Sequence, residues 1–195
     1  MKRMVHLTFT GKNSIRLSLI SLLLLLLLNS CQTKHNYSDP EKSILCDAEN
    51  IDKSGNKFIS KRKLYDIEFG NGFTRSSECA FSGKCSSKTD SINPYGIFYE
   101  IKNLNTNDVY RISVWRKSSD TTGVIALQGF GDNDSFYYDR TFKNVVDKSN
   151  GWEKIEGIFT VPKNDKVTKL RIFVFNPSKK VMYFDDLMIS DETDN

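Results

Sequence analysis

Val109-Tyr110-Arg111-Ile112-Ser113-Val114-Trp115-Arg116-Lys117 is the stretch on which the fold turns. Tyr110, Ile112 and Val114 fall on one side of an extended chain and Arg111, Ser113 and Trp115 on the other, the period of a strand with one face in a core. Asn107-Asp108 precede it as turn chemistry. The next run, 124–130, repeats the pattern, with Ile125 and Leu127 on one side and Ala126, Gln128 and Phe130 on the other. Working outward, segments rich in β-branched and aromatic residues lie at 45–48, 65–69, 85–89, 97–101, 136–141, 152–161, 170–175 and 181–189. Clusters of Gly, Asn, Asp and Ser separate them, among them Asn150-Gly151 before Trp152 and Pro177-Ser178 before Val181. Helical period is missing from any long stretch. The prediction is an all-β domain, a two-sheet antiparallel β-sandwich of the jelly-roll kind.

Two outward sets in these strands, Arg111 with Trp115 and Gln128 with Phe130, carry the residue types that hold sugars. Aromatic faces stack on the C–H surfaces of pyranose rings, while amides and guanidinium groups meet the hydroxyls. If the two sets share one surface, it is a candidate glycan site, with Tyr95 and Tyr137 contributing from loops. Aromatics form cores first, so Trp152, Phe159, Phe173 and Phe184 are assigned to packing. Asp132 and Asp134 read as a solvated turn. Gly129-Phe130-Gly131 is too short, and in the wrong context, for a phosphate loop.

The amino terminus has the organisation of a targeting segment. Lys2, Arg3, Lys12 and Arg16 precede an apolar run from Leu17 to Leu28, broken by Ser18 and Ser21 and shorter than the about 20 residues of a spanning helix. The run ends in Leu28-Asn29-Ser30-Cys31, which resembles the lipobox of bacterial lipoproteins, with Asn29 a departure from the usual small or aliphatic residue. That resemblance implies a signal peptide over 1–30 and lipidation (diacylglycerol and palmitate) of Cys31. Several acyl chains anchor firmly. Gln32, following the cysteine, fits sorting to the outer membrane of the cell envelope. Residues 31–43 then form a lipidated tether, 44–190 the sandwich and 191–195 a polar tail.

The formal charge of +4 comes from 28 basic and 24 acidic residues, but the signal holds four of the basic ones and none of the acidic. The mature chain is balanced, which removes the electrostatic case for nucleic acid. Both histidines, His6 and His35, precede the folded region. Histidine-dependent nucleophilic triads and zinc sites are therefore excluded there. A glycoside hydrolase needs a carboxylate pair about 5–9.5 Å apart, and no motif singles one out.

With Cys31 lipidated, Cys46, Cys79 and Cys85 remain. One disulfide and one free thiol is the simplest count in an oxidising compartment. Cys79 and Cys85 flank a tight turn and can bridge it; Cys46 with either is the alternative, and three buried thiols the third.

Five motifs occur in order: 46–50 (CDAEN), 80–86 (AFSGKCS), 110–117 (YRISVWRK), 151–162 (GWEKI running into FTVP) and 181–187 (VMYFDDL). Together they resemble the family 4 and 9 group of carbohydrate-binding modules, across roughly residues 44–190. The resemblance implies a galactose-binding-like jelly roll that binds polysaccharide without catalysis. It also implies a structural Ca2+ held by Glu49, carbonyls near Gly83 and Lys84, and Asp185. Alternation prefers Asp185 to Asp186, since it shares a face with Leu187 and Ile189. The expectation is a tethered protein capturing glycan for degradation or uptake. The alternative is an accessory lipoprotein or adhesin with a protein partner in the envelope.

Overall fold

The computed structural model describes residues 42–61, 65–163, 166–178 and 180–193. The signal peptide, Cys31 and nearly all of the tether lie outside the described residues. Alternating burial organises the chain from Ser43 onward into β1 (Ser43–Cys46), β2 (Lys57–Lys61), β3 (Asp66–Gly70), β4 (Arg75–Ser76), β5 (Ser86–Thr89), β6 (Tyr95–Lys102), β7 (Val109–Lys117), β8 (Val124–Phe130), β9 (Phe136–Phe142), β10 (Asn144–Ser149), β11 (Trp152–Thr160), β12 (Lys169–Phe175) and β13 (Met182–Asp191). They form two antiparallel sheets. One is seven-stranded, in the order β10-β11-β7-β13-β5-β4 with β1 beside β13; the other is six-stranded, in the order β2-β3-β6-β12-β8-β9. The all-β sandwich expected from the sequence is the observed architecture.

Ile112 and Val114 of β7, Ile155 of β11 and Phe184 of β13 meet Ile125 and Leu127 of β8 and Leu170, Ile172 and Val174 of β12 in one buried cluster between the sheets. Removing this apolar surface from water is the main source of stability. Trp152, Phe159 and Phe184 are buried, as their assignment to packing requires. Strands β2, β4 and β10 are additions to the segments read from the sequence. Each lacks a full apolar stripe: β2 has Phe58 as its fully buried side chain, β4 is two residues long, and β10 is an edge strand whose Val146 is half exposed. Asn150 and Gly151 both take positive φ, 49° and 79°, and join β10 to β11 through a two-residue turn.

One strand breaks the expected alternation. In β13, Met182 and Phe184 point into the core, and so do Leu187 and Ile189, so the parity changes between them. The cause is a bulge: the register against β7 shifts between Asp185 and Met188, and Asp186 takes φ 50°. Asp185 therefore pairs with Trp115 and shares its side, outside the core, rather than lying with Leu187 and Ile189 as alternation predicted.

Candidate functional site

Because Leu170, Ile172 and Val174 face the core, Lys169, Arg171, Phe173 and Phe175 of β12 stand on the outer face of the six-stranded sheet. Pairing with the flanking strands turns these into rows that cross the sheet. Arg171 is flanked by Glu100 and Gln128, and Gln128 by Asp139. On one side of this polar row, Phe173 lies between Phe98 and Ala126; on the other, Lys169 lies between Lys102 and Phe130. Strands sit about 4.8 Å apart, so four of them span about 14 Å, room for more than one sugar ring.

Aromatic packing fixes the banks of this strip. Tyr95 stacks on Phe175 at 5.1 Å and meets Phe173 edge-on at 5.6 Å. Phe98 lies over Gly70 of β3, where an added Cβ would sit 1.7 Å from the ring, so glycine is required for this close approach. Phe130 meets Phe136 edge-on at 5.9 Å and carries the Arg171 guanidinium over its face at 4.9 Å. A hollow of about 410 Å3 opens at the Tyr95 end, with Phe73, Ile92, Gln128 and Arg171 in its lining. A second, of about 520 Å3, lies at the other end beside Glu100, Lys102 and residues 131–134. Phe73 and Ile92, at the edge of the first hollow, are 59% and 83% exposed.

The structure separates the residues that the sequence placed on one surface. Gln128, Phe130 and Tyr95 belong to the groove, and Tyr137 lies at its rim, its ring over Gly131. Arg111 and Trp115 do not. They stand on the outer face of the seven-stranded sheet, where each is already engaged. Phe81 stacks on Trp115 with ring centroids 3.9 Å apart, leaving the indole 9% exposed. Arg111 pairs with Glu156 at 2.5 Å and Glu192 at 2.7 Å. The expected shared sugar face of Arg111, Trp115, Gln128 and Phe130 is corrected accordingly. Phe173, assigned to packing, is buried as that requires, in the outer cluster with Val124 and Ala126. Arg171, Phe98, Asn71 and Phe73 were missed; the alternation of Lys169, Arg171, Phe173 and Phe175 against Leu170, Ile172 and Val174 was the signal available for two of the groove's residues.

Residues 77–85 form the cover over Trp115. Asp185, fully buried, accepts hydrogen bonds through Oδ2 from the backbone N–H groups of Phe81 (2.8 Å) and Ser82 (3.1 Å). Its Oδ1 accepts from the N–H of Asp186 at 2.8 Å. Burial, with Asp186 adding to it, pushes the Asp185 carboxyl up to about 7. Glu49 Oε1 accepts from the N–H groups of Lys84 and Cys85, both at 2.7 Å, and sits against Gly83, whose φ of 58° and lack of a Cβ admit it. Of the expected calcium ligands, the Glu49 and Asp185 carboxylates are thus each turned on backbone N–H groups, Glu49 on Lys84 and Cys85, Asp185 on Phe81, Ser82 and Asp186. Among the described residues no three Asp, Glu, His or Cys side chains converge on a common point. As arranged, the Glu49 and Asp185 carboxylates hold the loop. Cys46, Cys79 and Cys85 are free thiols, so the expected Cys79–Cys85 bridge is also corrected. Hydrogen bonds from Lys84 and Cys85 to Glu49, and from Ser86 Oγ to the Cys79 carbonyl, close that turn in its place.

Residues 69–180, more than half of the chain, match the family model described as a carbohydrate binding domain. The chain belongs to the carbohydrate binding domain family. It is a binding module of this family and not a catalytic one. Among solved structures it is similar to the CBM22-1 xylan-binding domain from Paenibacillus barcinonensis Xyn10C, at 15% identity over 76% of this chain and 92% of that one, with a TM-score of 0.47. It is also similar to the C-terminal family 22 carbohydrate binding module of Clostridium thermocellum Xyn10B, at 13% identity over 78% and 96% of the two chains, with a TM-score of 0.48. No curated protein sequence matches it.

Proposed function

We propose that this carbohydrate binding domain is a lipid-anchored protein of the bacterial cell envelope, tethered to the outer membrane through Cys31, that captures polysaccharide for degradation or uptake. The observation that supports the site is the groove on the six-stranded sheet, where the polar row Glu100-Arg171-Gln128 runs between aromatic banks. Sugar rings present apolar C–H faces and a belt of hydroxyls, so rings on the banks and hydrogen-bonding groups on the floor complement them. The run 17–28 and the cysteine that succeeds it support the anchor.

Affinity electrophoresis of the purified protein through gels containing a broad panel of soluble polysaccharides tests the site. At least one is expected to retard the protein, and Tyr95→Ala and Gln128→Ala to relieve the retardation. Retardation unchanged in both variants would place the site elsewhere. Labelling of producing cells with radioactive palmitate tests the anchor. The label is expected in the wild type and lost in Cys31→Ser.

A further inference from the structure

We infer that the glycan taken by this groove is acidic, a polysaccharide bearing uronate units, with one uronate carboxylate seated on Arg171. This rests on the reading of the groove as a glycan site. The hollow at the Tyr95 end is lined by aromatic rings, amides and, among the described residues, one charged group, the Arg171 guanidinium. Among the described residues no carboxylate lines it. An arginine facing an otherwise uncharged, ring-lined hollow offers a counter-charge for something that enters from outside.

The surroundings of Arg171 leave it with binding capacity. Its Nη2 donates to Glu100 Oε2 at 3.1 Å on the side away from the hollow. Glu100 also lies 3.7 Å from the Lys102 ammonium and 3.8 Å from that of Lys169, so one carboxylate is shared among three cations. Lys169 has a second acidic partner in Asp134. Asp139 continues the row beyond Gln128, but it stands on the edge strand and does not line the hollow. The Arg171 Nε is buried, with no hydrogen-bond partner among the described residues, and is closed to an incoming group, so binding falls to the terminal nitrogens. With Phe130 against one face and Glu100 at one end, the planar fork is held in a fixed orientation while its side chain remains 39% exposed. A fixed, partly desolvated guanidinium with free donors favours a carboxylate, which it engages through two parallel hydrogen bonds, over a hydroxyl. Gln128, its cross-strand neighbour, is placed to meet a hydroxyl of the same sugar.

Matched pairs of polysaccharides test this with the full chain: polygalacturonate and glucuronoxylan, each beside its own carboxyl-reduced form, together with the neutral polysaccharides of the broad panel. At low salt the acidic member of at least one pair is expected to bind about tenfold or more tightly than its reduced form, the ratio for hydrogen bonds to a charged group. The ratio should shrink with added salt, collapse toward one in Arg171→Gln and be intermediate in Arg171→Lys, which keeps the charge but not the fork. Thermal unfolding of both variants checks that the fold is kept. Equal binding of acidic and reduced forms, or a preference that survives Arg171→Gln, overturns the uronate assignment while the glycan site stands. Binding to no polysaccharide, acidic or neutral, overturns the site itself and the assignment with it.

Discussion

The outer faces of the two sheets begin with similar side chains and end in opposite states. On the seven-stranded sheet, Trp115 and Arg111 are covered or paired: Phe81 lies on the indole, and two glutamates hold the guanidinium. On the six-stranded sheet, Tyr95 and Arg171 line an open hollow. Chemistry at the strand does not distinguish these faces. What does is a loop, residues 77–85, anchored by Asp185 over one face and, among the described residues, without a counterpart over the other. An aromatic residue becomes core or contact surface according to what the chain lays on top of it.

The largest expected effect is on the closed face. Trp115→Ala removes a ring packed under Phe81 and should cost about 3–5 kcal/mol in urea unfolding, with glycan affinity per folded molecule unchanged. Lost affinity without lost stability would reverse the assignment of the two faces. Next comes pH. The folded protein holds the Asp185 carboxyl near 7 against an ordinary value of 3.8, so the folded state binds a proton that the unfolded chain releases. The stability linked to this group is fully present below pH 3.8 and is lost as pH rises through about 7. Urea midpoints should fall across that window, and the fall should flatten in Asp185→Asn.

On the open face the effects move from stability to binding. Tyr95→Ala should weaken glycan binding about three- to tenfold, the worth of an aromatic contact, while leaving the unfolding midpoint nearly in place. A collapse in stability would make Tyr95 a packing residue like Trp115. Smallest is the response to calcium. With Glu49 and Asp185 turned on backbone N–H groups, saturating calcium should move the unfolding midpoint by less than about 2 °C relative to chelator. A large upward shift would restore the calcium ligand set.

How far the sequence could be read depends on the information that a period of two contains. It tells which side of a strand a residue takes, and Tyr110, Ile112 and Val114 lie where it put them. It does not tell which sheet receives the strand. Strands β7 and β8 are consecutive in the chain but enter different sheets, which is why Trp115 and Gln128 were expected together and are found apart. Alternation also fails silently at a bulge, and the positive φ of Asp186 had no unambiguous signal in an Asp-Asp pair. The groove's floor was half legible. Gln128 and Phe130 were found through alternation, and alternation in β12 gave the outward side of Arg171, but its place beside Glu100 and Gln128 is revealed only by pairing.

The cover over Trp115 has a consequence for the order in which the molecule is made. Its anchor, Asp185, is 104 residues further along the chain than Phe81, in the last strand. Closing so long a loop is slow in entropic terms and cannot begin until the carboxyl end of the chain is available. Until β13 docks between β7 and β5, this sheet is incomplete and the indole of Trp115 lacks its anchored cover. A detached carboxyl-terminal segment would leave an adhesive surface on the side of the domain opposite the groove, making the final strand a guard against aggregation.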